Sequence, residues 1–415
     1  MAREMKDSGI EWIGEIPVDW NSCRLRYLCD IMTGNQDTQD NDPNGIYPFY
    51  VRSPKVEKSN KYTFEGKAIL MSGDGVGAGR IFHCVDGKYG CHQRVYSLQN
   101  INRVNFKYLF YYISNTFYVM IETANSKSTV DSVRLNMLQD FPVLVPRENE
   151  QHRIADFLDR KCAEIDRVLE KTRASIEEYK KLKQSVITQA VTKGVRGERE
   201  MKDSGIEWIG EIPEEWEIIK MKRIGKCRNG LTYSPNDIVS SEDGTLVLRS
   251  SNIKNGQLVY TDNVYVNREI SNELMVHEGD ILICSRNGSR SLIGKNALIP
   301  NGLVASFGAF MMIFRCNTPK YIQMVLNSSI FSYYLGTFLT ATINQLTGDN
   351  FSNMQIVYCS DTTEQQEIVE YLDKKCSEIE TLISKKEQFI TKLESYKKSL
   401  IYEYVTGKKE AMNDL

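Results

Sequence analysis

The sequence predicts an α+β protein: two small mixed α/β domains joined by two long antiparallel coiled-coil helices, the whole arising by internal duplication with a pseudo-twofold relation between the halves. Three observations carry this. A long helical stretch occurs twice, a thirteen-residue segment occurs twice without change, and each pair brackets a body of short strand-like runs broken by glycine-rich turns.

The helical stretch is residues 150–193, EQHRIADFLDRKCAEIDRVLEKTRASIEEYKKLKQSVITQAVTK, which returns without a gap as residues 364–407. Glu150, Gln151, Ile154, Leu158, Asp159, Cys162, Glu164 and Ile165 reappear as Glu364, Gln365, Ile368, Leu372, Asp373, Cys376, Glu378 and Ile379. Apolar positions step by alternating threes and fours. Leu158, Cys162, Ile165, Leu169 and Ile176 on the first copy, with Leu372, Cys376, Ile379, Ile383 and Ile390 on the second, form the expected helix–helix seam. At about 1.5 Å per residue each helix is roughly 65 Å long, more than a globular core needs. A single copy would read as a solvated bundle helix; two near-copies in one chain read as a paired rod. Asn149 is expected to cap the first helix, and Thr363 with Gln366 to form a capping box on the second. Gly194 and Gly407 stand where the helices should stop.

The second repeat is MKDSGIEWIGEIP, residues 5–17, identical at 201–213 and followed by Trp20 and Trp216. Each half therefore runs from this segment through a variable body to a long helix. The expected division is a first domain over 1–149, the first helix over 150–193, a second domain over 194–362, the second helix over 364–407 and a tail over 408–415. KGVRGERE, residues 193–200, reads as an exposed linker. The bodies, 21–149 and 217–362, share little sequence but share punctuation. FEGKAILMSGDG at 64–75 and HEGDILICSRNG at 277–288 are each an apolar strand entering a glycine-rich polar turn. Short strand-like runs (IFHC and RVYSL; ALIP and AFMMIF) then lead to the helix-like NFKYLFYYIS and PKYIQMVLNSS.

A chain of 415 residues exceeds ordinary single-domain size. No apolar run approaches the roughly 20 residues that span a membrane, and MAREMKDSG lacks the apolar core of a signal peptide, so a cytoplasmic location is expected. Ten cysteines without a CxxC pair argue against a disulfide framework.

The chemistry-bearing motifs are few. SGDGVGAGR, residues 72–80, misses GxGxxG because position 78 is Ala and position 80 is Arg. The next stretch, IFHCVDGKYGCH, reads as a hairpin turning at Asp86-Gly87 rather than as a helix. A loop bringing backbone and Arg80 close to a ligand fits better than a cofactor cradle. His83-Cys84 and Cys91-His92 resemble zinc pairs, yet adjacent strand residues face opposite ways and each pair cannot chelate together. With four histidines, no GxSxG, no DPPY-like or NPPY-like stretch and no PD…ExK pattern, the chain is expected to be non-catalytic, with no metal and no cofactor.

Nucleic acid fits better. The first body holds 15 Lys and Arg against 12 Asp and Glu, the second 13 against 11, too little for a lone DNA binder and consistent with other subunits supplying phosphate contacts. Candidate DNA-contacting side chains in the first body are Arg52, Lys55, Ser72, Asp74, Arg80, His92, Gln93, Arg94 and Lys127. The second body offers Arg249, Ser250, Asn252, Lys254, Arg286, Asn287, Ser289, Arg290, Lys295, Asn344 and Gln345.

Over essentially its whole length the chain resembles the specificity subunit of a Type I restriction–modification system. The resemblance rests on WIGEIPxxW at Trp12 and Trp208, on EQxxIxxxLDxK at Glu150 and Glu364, and on LRSSNIKNGQL and EGDILICSRNG in the second half. FPVLVP before the first helix keeps the family's proline-rich strand, whereas QIVYCSDTT before the second has no proline. The resemblance implies two target-recognition domains, each reading half of an asymmetric bipartite double-stranded DNA site, with the helices as a ruler. It implies two methyltransferase (modification) subunits that carry the methyl-donor site, and motor-nuclease (restriction) subunits, as partners. Two rivals remain: a self-contained DNA methyltransferase, which would need cofactor motifs, and a non-DNA-binding duplicated coiled-coil scaffold, which would typically carry a secretion signal.

Overall fold

The computed structural model describes residues 3–124, 132–339 and 344–411, grouped in two compact units: Met1–Arg173 with Glu387–Leu415, and Ala174–Lys386. Their helices are α1 (Phe106–Ala124), α2 (Leu135–Gln139), α3 (Glu148–Lys193), α4 (Pro319–Leu326), α5 (Ser329–Phe338), α6 (Gly348–Asn353) and α7 (Thr362–Val405). None is long and apolar enough to cross a membrane.

The first unit contains an antiparallel sheet in the order Asp30–Thr33, Val95–Gln99, Ala68–Ser72, Phe82–Val85. The second unit repeats it as Gly225–Asn229, Met311–Cys316, Ile281–Cys284, Asn296–Leu298. The inner strands AILMS and ILIC are buried at every residue, which is why they read as unbroken apolar runs rather than alternating ones. A further four-stranded sheet in each unit includes one parallel pair, Tyr47–Tyr50 with Lys88–Cys91 and Thr245–Leu248 with Ala305–Phe307. Each long helix is reached through a strand paired antiparallel with the strand that comes after the repeated tryptophan. Pro142–Val145 pairs with Asn21–Arg24, and Gln355–Tyr358 with Glu217–Lys220. The missing proline in the second half changes nothing in this pairing.

Two local expectations are corrected. Asp86-Gly87 is a turn, with Gly87 at φ +96°, but its flanking strands do not pair with each other. Phe82–Val85 joins Ala68–Ser72, while Lys88–Cys91 joins Phe64–Glu65 and Tyr47–Tyr50, so the chain changes sheets there. The helix caps also differ. α3 begins at Glu148, which places Asn149 inside its first turn. α7 begins at Thr362, and Asp361 caps it by accepting the Thr363 amide at 2.8 Å, so Thr363 lies within the helix. Gly194 and Gly407 come just after the two helix ends at φ +78° and +73°, the left-handed backbone that a side chain disfavours.

Within each unit a part of α3 runs antiparallel to a part of α7. In the first, Asp166 meets Lys397 at 2.6 Å and Arg173 meets Glu394 at 2.5 Å, one number rising as the other falls. Ile154, Leu158, Cys162, Ile165 and Leu169 are buried in one core with Leu400, Ile401 and Val405. In the second, Lys183 pairs with Glu380 and the Lys386 ammonium lies over the Tyr179 ring. There Leu372 and Cys376 share a core with Ile187, Ala190 and Val191. Ile176 and Ile379 are buried as well, whereas Ile383 and Ile390 are half-buried. Leu158→Ala is expected to cost about 2–5 kcal/mol, since the side chain is fully enclosed. Ile383→Ala should cost clearly less. Urea unfolding midpoints of the two variants provide the comparison.

Candidate nucleic-acid interface

The two sequence repeats meet in space at the base of each body. In the first unit Arg3 grips the Glu150 carboxylate with two nitrogens, at 2.6 and 3.0 Å, and the Trp20 indole donates to it at 3.0 Å. In the second unit Arg199 grips Glu364 and the Trp216 indole donates to it at 3.3 Å. Each guanidinium also lies over its tryptophan ring, at 5.6 and 5.7 Å. The exposed-linker expectation for 193–200 therefore fails at Arg199, whose side chain is only 14% exposed. A signal existed: the identity between the repeats extends back to Arg3-Glu4 and Arg199-Glu200.

In the first unit a cleft of about 670 Å³ is lined by Arg52, Ser53, Asp74, Val76, Arg80 and His92 among others. Part of its wall is the glycine loop, residues 74–77, that follows the buried strand Ala68–Ser72. Gly79 sits at φ +67°, where an added Cβ would come within 2.6 Å of Ile121, so the loop packs this tightly only with glycine. Val76 stands fully exposed at the loop's tip. Asp74 accepts the Gly75 amide at 2.8 Å and pairs with Arg52 at 3.4 Å and with Arg94. The Arg94 guanidinium, with the Gly75 amide and Arg52 assisting, outweighs burial and holds the Asp74 carboxyl below its usual range. His92 is 2% exposed; its Nδ1 accepts the Arg94 amide at 3.0 Å, and its Nε2 lies 3.3 Å from Asp37. Gln93 donates to the same Asp37 at 3.3 Å. Arg80 pairs with Glu122 at 2.9 Å.

Ser72 is buried and is not part of the cleft lining, whereas His92, although nearly enclosed, still contributes to that lining. Ser72 donates to the Asp74 carbonyl at 3.2 Å, so both side chains shape the turn that presents Asp74 and Arg94. Lys55 is exposed but is not part of the cleft lining, and Lys127 lies outside the described residues. Cys91 is buried, with its thiol pushed up to about 12, and among the described residues no three His, Cys, Asp or Glu side chains gather as a metal site requires.

In the second unit a cleft of about 570 Å³ is lined by Tyr233, Arg249, Ser250, Asp262 and Phe310 among others. Arg249 is held by the Asp262 carboxylate at 2.8 Å, and Asn287 donates to the Ser250 hydroxyl at 3.1 Å. Arg286 lies over the Phe310 ring at 5.3 Å. Its backbone bridges to that of Gln345, which is exposed together with Asn344. Ser289 caps back onto Asn287 at 3.0 Å, and Arg290 donates to the Gly336 carbonyl at 3.4 Å. Lys254 and Lys295 are not in the cleft lining. Asn252 is fully buried, donating to the Val259 carbonyl at 3.0 Å and accepting the Arg249 amide at 2.9 Å, so it is spent on the fold.

The two clefts are built on one backbone plan. Asp74 bridges to Ser132 as Arg286 does to Gln345. The Gly73 amide donates to the Arg94 carbonyl at 2.9 Å, as the Ser285 and Arg286 amides do to that of Phe310 at 3.0 Å. Asp74 and Arg94 thus occupy the places of Arg286 and Phe310. The same turn presents an acid and a cation in one unit, a cation and an aromatic ring in the other. Phe310 was not anticipated, since it sits inside the apolar run AFMMIF; the strand begins only at Met311, leaving Phe310 58% exposed.

Residues 17–178 and 213–392 match the family model described as the Type I restriction modification DNA specificity domain. The chain is 26% identical to the Type I restriction enzyme EcoDI specificity subunit of Escherichia coli, over 54% of this chain and 54% of that protein. It thus spans about half the length of that relative. To the Type I restriction enzyme MjaVIII specificity subunit of Methanocaldococcus jannaschii it is 23% identical over 79% of each. A solved chain, described under complex assembly and conformational transition of the type I R-M system, has the same fold. It superposes with a TM-score of 0.69 at 14% identity, covering 95% of this chain and 99% of that one.

Proposed function

This chain belongs to the Type I restriction modification DNA specificity family, and from that premise we propose that it is the DNA-recognition subunit of such a system, reading a bipartite asymmetric double-stranded site. The observation that carries the reading is the shared turn with unlike chemistry, Asp74 and Arg94 against Arg286 and Phe310. A duplicated scaffold with different side chains at the same place suits two different half-sites. The first target-recognition domain takes residues 1–149 and is followed by the helix over 150–193; the second takes 194–362 and is followed by the helix over 364–407. The near-neutral bodies leave phosphate binding largely to partners: two modification subunits that supply the methyl-donor site, and motor-nuclease subunits. The chain itself performs neither methyl transfer nor cleavage, and it works in the cytoplasm where that DNA lies.

Coexpression with the modification subunits of its own system, then genome-wide mapping of methylated bases, tests this. A split, asymmetric motif that is methylated only when this chain is present is the expected result. Methyl transfer to DNA by the purified chain alone would establish the self-contained methyltransferase instead.

A further inference from the structure

We propose that Arg94 reads the guanine of one G·C pair in the half-site bound by the first unit, and that Asp74 is the positioning residue that aims it. The proposal rests on the DNA-recognition reading above and names the base selected by the turn at the edge of this cleft, where Asp74 lines the cleft and holds Arg94.

The anchor is rigid. Asp74 has an 18% exposed side chain, accepts the Gly75 amide at 2.8 Å and pairs with both Arg52 and Arg94. The backbone beside it is pinned on two sides, by Gly73 donating to the Arg94 carbonyl at 2.9 Å and by Val133 donating to the Gly73 carbonyl at 2.8 Å. Arg94 keeps a 58% exposed side chain while bound to this carboxylate. A guanidinium carries five N–H donors in a planar fork, so an arginine held along one edge still offers donors along another. Guanine presents two acceptors, O6 and N7, to the major groove at that spacing; adenine presents a donor beside its acceptor and is rejected. Fixing the fork beforehand removes the rotamer freedom it would otherwise lose on binding.

The carboxylate decides between base and phosphate. An arginine that only neutralises phosphate gains nothing from a neighbouring acid, which would weaken its attraction. An arginine that must meet two acceptors in one plane gains orientation from it. Asp74 sits between two arginines, so the cluster keeps a net positive charge and does not repel the duplex. The second unit does not repeat the Asp74–Arg94 pair at this turn, where Arg286 and Phe310 stand instead; its acid-held arginine is Arg249 on Asp262, at another place in the cleft, so a change at Arg94 acts on the first unit's half-site alone.

The test is methylome mapping of the intact complex carrying R94A, D74N or D74E, with the first half-site assigned independently by exchanging the first body. R94A should make one specified G·C pair of that half-site degenerate, with discrimination falling on the order of ten- to hundred-fold, and leave the other half-site as it was. D74N should relax the same pair more weakly, and D74E should restore it, a pattern that loss of folding does not produce. Where R94A fails to assemble, R94Q must lose the guanine preference at the same pair. Uniformly weaker methylation of every site, with no base relaxed, would make Arg94 a phosphate contact and overturn the proposal. So would relaxation at an A·T pair, or D74N relaxing a different pair from R94A. If exchanging the first body alters neither half-site, the recognition reading itself fails.

Discussion

Glu364→Ala and Glu150→Ala should each destabilise the protein by about 3 kcal/mol, more than most single substitutions. Glu150 is 5% exposed and Glu364 2%, and each carboxylate accepts from an arginine and from a buried indole. Alanine leaves the enclosed indole N–H without its acceptor and takes from the partly buried guanidinium its main one, with only Asp19 or Glu215 remaining to it, and these losses are what cost. Glutamine keeps one acceptor oxygen and should cost less. Burial pulls the Glu364 carboxyl upward, but the Arg199 and Trp216 hydrogen bonds outweigh it and hold the group below its usual range. A depressed folded value means the stabilisation is fully present above the ordinary glutamate value and is lost as pH falls through that value towards the folded one. The denaturation midpoint should therefore drop on acidification in the parent protein, with a shallower drop in E364Q. Tryptophan fluorescence reports this directly, because Trp20 and Trp216 sit in the two clasps. Equal midpoints for the parent and E364A would show that the clasp contributes nothing.

The duplication was legible because identity over MKDSGIEWIGEIP and the three–four spacing of the helices are properties of the chain itself. Legibility failed where neighbouring choices compete. Asn149 and Thr363 are good capping residues, yet the α7 cap fell to Asp361 and α3 began one residue before Asn149, since the paired strands fix where the chain turns. Asp86-Gly87 is a good hairpin signal, but Phe82–Val85 and Lys88–Cys91 each found a partner in a different sheet, which no local pattern reveals. In the clefts, the glycine loop announced itself through composition. The burial of Ser72, His92 and Asn252 did not, because a polar side chain spent on its own turn looks the same in sequence as one turned outward. Phe310 was hidden for the converse reason, an exposed ring at the edge of an apolar run.

If each body specifies one half-site, exchanging a body must exchange one half of the motif. Replacing residues 217–362 with the equivalent body of a relative carries Glu217–Lys220 and Gln355–Tyr358 together, so their pairing is preserved. Arg199, Trp216 and Glu364 lie outside the exchanged segment and keep the clasp. Genome-wide methylation mapping of the exchanged subunit with its modification partners should show one half of the motif replaced and the other unchanged. A motif altered in both halves, or in neither, would contradict the assignment of one half-site to each body.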